Sequence, residues 1–258
     1  MNQTERQQRR SIYLLPNLFT TGTIFGGFYA IIASTQGRFE AAAIAIFIAM
    51  VADALDGRIA RMTNTQSDFG LQYDSLADLV AFGVAPALIM YFWALDDLRL
   101  VNETLGRVGW IASFAYAAGA ALRLARFNVQ TESLDKRFFK GLPSPSAAAL
   151  LVGSMWVMHN FDFKSSDAAI PYISLAITYL GGVLMVSNIT YYSFKDVDAL
   201  KKIPFFVVPA FVFVAPFITL KPSVILYSIF MTYILSGPVL SLYRQVRKLR
   251  RRQRRAAD

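Results

Sequence analysis

The sequence has no cysteine, a single histidine and little charge: only 17% of its 258 residues are Asp, Glu, Lys or Arg. Without cysteine there is no disulfide, no thiolate metal site and no cysteine nucleophile. Soluble chains carry roughly a quarter charged residues, and here the deficit accompanies a hydrophobic content of 55%. A soluble globular domain is therefore not the expectation. No removable signal peptide is expected either. The first residues are polar and Arg-rich, and the apolar segment from Tyr13 is followed by no small-residue cleavage site.

The charge that is present sits at the ends. Arg6, Arg9 and Arg10 oppose Glu5 near the N-terminus, and eight basic residues oppose Asp258 from Arg244 onward. Together these ends account for the whole formal charge of +9. Basic ends beside apolar segments point to anionic membrane lipid as a partner. No nucleic acid is expected, because the tail directly follows an apolar segment and lacks interleaved aromatics.

Eight apolar segments stand out, at about 13–34, 40–56, 76–95, 108–125, 143–160, 170–188, 203–220 and 222–243. Most approach the length that spans hydrocarbon. Basic loops alternate with neutral or acidic ones. Arg58 and Arg61 follow the second segment and Arg123, Arg126, Lys136, Arg137 and Lys140 the fourth, whereas Asp96 and Asp97 follow the third. The positive-inside rule then puts both termini on the cytoplasmic side of a multi-pass inner-membrane protein. The expected fold is an all-α polytopic transmembrane helix bundle of about eight spans. Its expected divisions are a basic N-terminus (1–12), a core (13–200), two added helices (201–243) and a basic tail (244–258). Residues 127–142 are polar enough for an interfacial helix, and Trp93, Trp110 and Trp156 lie near span ends, as interface anchors do.

The stretch from Asp53 to Asp78 carries the chemistry. Asp53, Asp56 and Ala60 share one helical face, with Gly57 and Arg61 immediately beside it, and Gly70, Asp74 and Asp78 repeat at i, i+4 and i+8 on the next segment. If the two helices are antiparallel neighbours, four carboxylates converge. Like charges at close range raise each other's pKa, and charges within membrane segments are costly, so a bound cation is expected. Oxygen ligands without Cys or His nearby select a hard divalent ion, Mg²⁺ or Mn²⁺. Two such ions would suit in-line phosphoryl displacement. Missing side chains at Gly57 and Gly70 leave room for a base or diphosphate, and Arg61 is placed to neutralise phosphate. Asn17, just after Pro16, either reaches the cavity or serves the start of its helix. His159 belongs to the opposite end of the fifth segment and is expected to be interfacial.

This stretch resembles the motif of the CDP-alcohol phosphotransferase family, Asp-x-x-Asp-Gly-x-x-Ala-Arg, about eight residues, then Gly-x-x-x-Asp-x-x-x-Asp. Asp53, Asp56, Gly57, Ala60, Arg61, Gly70, Asp74 and Asp78 match it without departure. The resemblance implies a six-helix core, here extended by two C-terminal helices, a homodimer, and a cavity open to the cytoplasm. It implies metal at Asp53, Asp56 and Asp74, with Asp78 as ligand, general base or both. Gly57, Ala60, Arg61 and Gly70 would line the cytidine diphosphate site together with the first aspartates. Leu15–Thr20, Leu122–Asn128, Gly141–Pro145 and Ser187–Lys195 resemble the phosphatidylserine-forming branch of that family. That branch implies CDP-diacylglycerol and L-serine as substrates. Arg123 and Arg126 are then candidates for the serine carboxylate. A sibling transferase using glycerol phosphate, inositol phosphate or choline is the near alternative, and a cation transporter the distant one.

Overall fold

The structure is a computed structural model describing residues 3–62, 67–129, 138–164, 167, 169–192 and 220–255. Long helices dominate it. They are α1 (Gln3–Thr35), α2 (Phe39–Met62), α6 (Glu103–Val129), α7 (Ser144–Asn160), α8 (Ile170–Val186) and α9 (Pro222–Arg255). Between α2 and α6 lies a composite unit of α3 (Asp68–Asp78), a π-helical turn (Leu79–Val84), α4 (Ala85–Met90), a second π-helical turn (Tyr91–Leu95) and the short α5 (Leu98–Val101). Among the described residues, four stretches are long and apolar enough to cross a membrane: Asn17–Thr35, Asp68–Val101, Glu103–Val129 and Pro222–Leu242. Ile170–Val186 is a shorter apolar helix. The expected segment 203–220 falls almost wholly outside the described residues, so the described helices do not establish a count of eight spans.

Small side chains bring the helices together. Ala30 and Ala33 of α1 and Ala42, Ala43 and Ala49 of α2 are all buried, and these two helices pack along their length. A Cβ on Gly27 would fall 2.6 Å from the Ala81 Cα, so the close approach of α1 to the first π-helical turn requires glycine there. α7 is buried along nearly its whole length, from Ser144 to Trp156. α2, α4, α8 and the first π-helical turn pack on it, and α9 lies against it as well. Phe25, Phe28, Ile48, Val51, Phe114, Tyr179 and Leu180 are exposed on the outside. An apolar exterior of this extent suits lipid rather than water.

The composite unit starts earlier and ends later than the segment read from the sequence, because its polar first turns continue the helix. Ser67 caps it, its Oγ accepting from the Gly70 amide at 3.0 Å. At no more than about 1.5 Å per residue, the helical run Asp68–Leu95 is up to about 42 Å long, beyond about 30 Å of hydrocarbon. Its first turns can therefore stand clear of the apolar layer. The interfacial helix expected within 127–142 falls on 130–137, outside the described residues. Residues 138–140 form β1 (Phe138–Lys140), antiparallel to β2 (Thr190–Tyr192), with Phe139 opposite Tyr191. Gly141 makes the turn out of β1 at φ 84°, where any side chain would run into the Met185 carbonyl. The ribbon ties the start of α7 to the end of α8, and α9 leans on it as the Tyr233 hydroxyl donates to the Tyr192 carbonyl at 3.0 Å. Burial pushes the Tyr191 phenol up to about 12, so it stays neutral at physiological pH.

Two of the three tryptophans are not interface anchors. Trp93 and Trp156 are buried inside the bundle, and Trp156 packs at a tilt on Phe47 with centroids 5.8 Å apart. Only Trp110 is exposed. His159 meets Phe39 edge-on, far along α7 from its Ser144 end.

Candidate active site

A cavity of about 290 Å³ opens where α2, α3, α6 and the start of α7 meet. α2 contributes Asp53, Ala54, Asp56 and Gly57, and α3 contributes Leu71, Asp74, Ser75 and Asp78. α6 adds Arg123, Leu124, Phe127 and Asn128, and the loop into α7 adds Pro143, Ser144 and Pro145. The two aspartate-bearing faces therefore do converge, as their helical spacing requires.

Carboxylate oxygens of Asp53, Asp56 and Asp74 lie within 4.8 Å of one another. Asp56 is almost fully buried, and its Oδ2 accepts from the Thr20 hydroxyl of α1 at 2.8 Å. Asp78 lines the same cavity and interacts electrostatically with Asp53 and Asp74. Its Oδ1 is buried without a hydrogen-bond partner among the described residues. Three clustered carboxylates, a fourth beside them and no sulfur or imidazole among the described lining residues make a donor set that fits a hard divalent cation. A Cβ built on Gly57 would meet nothing within 4 Å. Packing therefore does not demand glycine at that position, and the space before it is open cavity.

The opposite wall carries one cation among its described lining residues, Arg123. Its Nη1 donates to the Ser144 Oγ at 3.0 Å, Ser144 is fully buried, and the guanidinium interacts electrostatically with Asp78. The Arg123 Nε is buried and has no hydrogen-bond partner among the described residues. Guanidinium donors thus remain for an anion. Beside it, the Asn128 Nδ2 donates to the Ser75 Oγ at 3.0 Å, and the Ser75 hydroxyl donates to the Leu71 carbonyl. This pins the end of α6 to α3.

The other candidates sit differently. Arg126 turns away from the cavity, and its Nη2 donates to the Asn188 Oδ1 at 2.8 Å on the exposed surface. Asn17 is half-buried in α1, is not among the lining residues, and its carbonyl accepts from the Thr21 hydroxyl as part of the helix. Gly70 belongs to the cap of α3 and is not among the lining residues either. The side chains of Ala60 and Arg61 lie outside those described. Sequence reasoning missed Thr20, Ser75, Asn128 and Ser144 as parts of the site. A signal existed for α6: Arg123 and Phe127, and Leu124 and Asn128, pair at i and i+4, whereas Arg126 falls off that face.

Residues 13–187 match the family model described as CDP-alcohol phosphatidyltransferase. The chain is 42% identical over 186 residues to a protein of Helicobacter pylori named CDP-diacylglycerol–serine O-phosphatidyltransferase, covering 72% of this chain and 75% of that one. A protein of the same name from Methanocaldococcus jannaschii is 32% identical over 182 residues, covering 70% and 75%. An archaetidylserine synthase of Methanothermobacter thermautotrophicus is 34% identical over 183 residues, covering 70% of each. β2 and α9 lie beyond the matched region.

Proposed function

The chain belongs to the CDP-alcohol phosphatidyltransferase family, and we propose that it transfers the phosphatidyl group of CDP-diacylglycerol to the hydroxyl of L-serine, releasing CMP. The observation that carries the acceptor is Arg123, a half-buried cation held by Ser144 in the lining that also carries the aspartates. Serine brings a carboxylate, and a guanidinium with spare donors suits it. A phosphorylated acceptor would call for a larger basic cluster, and choline for an aromatic cage. Among the described lining residues there is one cation and one aromatic ring, Phe127.

In this reading Asp53, Asp56 and Asp74 hold divalent metal, Mg²⁺ or Mn²⁺ and two ions per site, with Asp78 as a further ligand or as the base. When bound, such ions neutralise the diphosphate and steady the attacking and leaving oxygens. Gly57, with Ala60 and Arg61 of the same motif, borders the cytidine diphosphate, while Gly70 serves the cap of α3. Arg123 orients the serine by its carboxylate. Asp78 accepts the hydroxyl proton as the serine oxygen bonds to the phosphorus nearer the lipid, and the bond from that phosphorus to the CMP oxygen breaks. Thr20 fixes the Asp56 carboxylate by its hydrogen bond. The site is placed at the cytoplasmic face of the inner membrane. The loop-charge pattern supports this. The basic tail meets anionic lipid there, and the homodimer implied by the family resemblance belongs to the same proposal.

The test is purified protein with CDP-diacylglycerol, a Mg²⁺ or Mn²⁺ titration and radiolabelled serine. Labelled phosphatidylserine and equimolar CMP are expected. CMP release with glycerol phosphate, inositol phosphate or choline, and none with serine, would replace this reading with the sibling one. The same assay separates the two arginines. Arg123→Ala removes a charge-assisted contact with a value of about 2–3 kcal/mol, so the serine KM is expected to rise about 30- to 150-fold. Arg126→Ala leaves the serine KM unchanged. Equal effects of the two substitutions would remove Arg123 from the serine site.

A further inference from the structure

α9 lies beyond the stretch that matches the family model, yet it is seated on α7, α2 and the ribbon at successive points. Near its start the Asn160 Nδ2 of α7 donates to the Ser223 Oγ at 2.9 Å. One turn on, Tyr227 closes on Gly153, where a Cβ would stand 3.0 Å from the ring. Phe230 meets Phe47 of α2 with ring centroids 6.1 Å apart. Tyr233 tilts onto Tyr191 of the ribbon with centroids 5.8 Å apart, and its hydroxyl donates to the Tyr192 carbonyl at 3.0 Å. At Gly237, a turn further, any side chain would run into the Tyr191 ring.

The ribbon leads to the Arg123 end of the cavity. β1 ends at Lys140, and Ser144 opens α7 four residues later. The link between them has little freedom. The Gly141 amide donates to the Ile189 carbonyl at 2.8 Å, and the Leu142 amide to the Leu184 carbonyl at 3.0 Å. Leu142 is fully buried, and the ring of Pro143 fixes its φ. Ser144 then accepts from the Arg123 Nη1 at 3.0 Å. A shift of the ribbon is therefore passed to Ser144 and from there to the guanidinium. The Tyr233 and Arg123 side chains also lie within electrostatic reach of each other.

We propose that α9 belongs to the acceptor end of the site and that Tyr233 is a positioning residue for the transfer. By holding the ribbon at Tyr192 it keeps Ser144, and through Ser144 the Arg123 guanidinium, where the serine carboxylate needs it. The role rests on the serine-transfer reading above. Tyr233 is not a lining residue of the cavity and acts through Arg123. The aspartates belong to α2 and α3, which this path from ribbon to guanidinium does not cross.

A double-mutant cycle on the full chain tests this. Wild type, Tyr233→Phe, Arg123→Ala and the double variant are purified in detergent, and CMP release is measured with serine and CDP-diacylglycerol varied in turn. Tyr233→Phe keeps the ring against Tyr191 and removes only the donor. Its serine KM is expected to rise about 3- to 10-fold, the size of one lost neutral hydrogen bond. The KM for CDP-diacylglycerol and kcat are expected to stay within about twofold, because the aspartate side of the cavity is untouched. In the Arg123→Ala background the same substitution is expected to change the serine KM by less than about twofold, since no guanidinium remains to be misplaced. A merely loosened bundle gives another pattern: both KM values and kcat move, and the loss repeats in the Arg123→Ala background. That pattern overturns the proposal, and so does a wild-type serine KM in Tyr233→Phe. Wild type that releases CMP with another acceptor and not with serine fails the functional reading instead. The cycle is then read on the KM of that acceptor. A rise in Tyr233→Phe that vanishes in the Arg123→Ala background keeps α9 at the acceptor site, and an unchanged KM overturns the proposal.

Discussion

Asp78→Asn is expected to lower serine-dependent CMP release by about 10²- to 10⁴-fold while the protein still inserts and folds, since that is what a positioned general base contributes. The substitution is nearly isosteric, so the cavity wall made by α3 keeps its shape. What is lost is a carboxylate that can take the hydroxyl proton and balance Arg123 across the cavity. The effect on stability has the opposite sign. Asp78 faces Asp53 and Asp74, and its buried Oδ1 has no hydrogen-bond partner among the described residues. Removing one of several crowded like charges relieves repulsion in the metal-free protein. Metal-free Asp78→Asn is therefore expected to unfold at the same temperature as metal-free wild type or above it. Turnover and thermal unfolding measured on the same preparations check both signs. Near-normal turnover would take Asp78 out of the chemistry, whereas lost turnover with a collapsed unfolding temperature would make it a structural residue.

The aspartate site was legible in the sequence because it is local. Asp53 and Asp56 sit one turn apart, Asp74 and Asp78 likewise, and short-range helical geometry fixes which face each pair occupies. The helical fold was legible for a similar reason, since long apolar runs leave few alternatives. What the sequence hid was set by partners distant along the chain. Arg123 and Arg126 read alike, three residues apart, yet one faces the aspartates and the other bonds Asn188. Thr20 reaches Asp56 across 36 residues, and its hydroxyl looks like any other in an apolar helix. Trp93 and Trp156 stand near span ends, where interface anchors belong, but close helix packing buries them. The ribbon of β1 and β2 joins three-residue pieces separated by the whole of α7 and α8, too short to carry an alternating pattern.

Chelation gives the other large effect, and it separates a metal site from a mere acidic cluster. Treatment with EDTA is expected to abolish turnover, and Mg²⁺ or Mn²⁺ to restore it. The same ions are expected to raise the unfolding temperature without substrate, because an ion that binds only the folded site stabilises by about 2.7 kcal/mol at a hundredfold excess over its Kd. The reason lies in the Asp53, Asp56 and Asp74 oxygens, gathered within 4.8 Å on two different helices. Without a cation their repulsion pushes α2 and α3 apart, and with one it becomes a cross-link between them. Asp56→Asn tests this most sharply, since Asp56 is nearly buried and Thr20 already occupies one of its oxygens. That variant is expected to lose both turnover and the metal-dependent rise in unfolding temperature. Its metal-free unfolding temperature is expected to stay near that of metal-free wild type, because the amide oxygen of the new asparagine still accepts from Thr20. If wild type showed no metal-dependent rise, or if Asp56→Asn kept it in full, these carboxylates would not be where the ion binds.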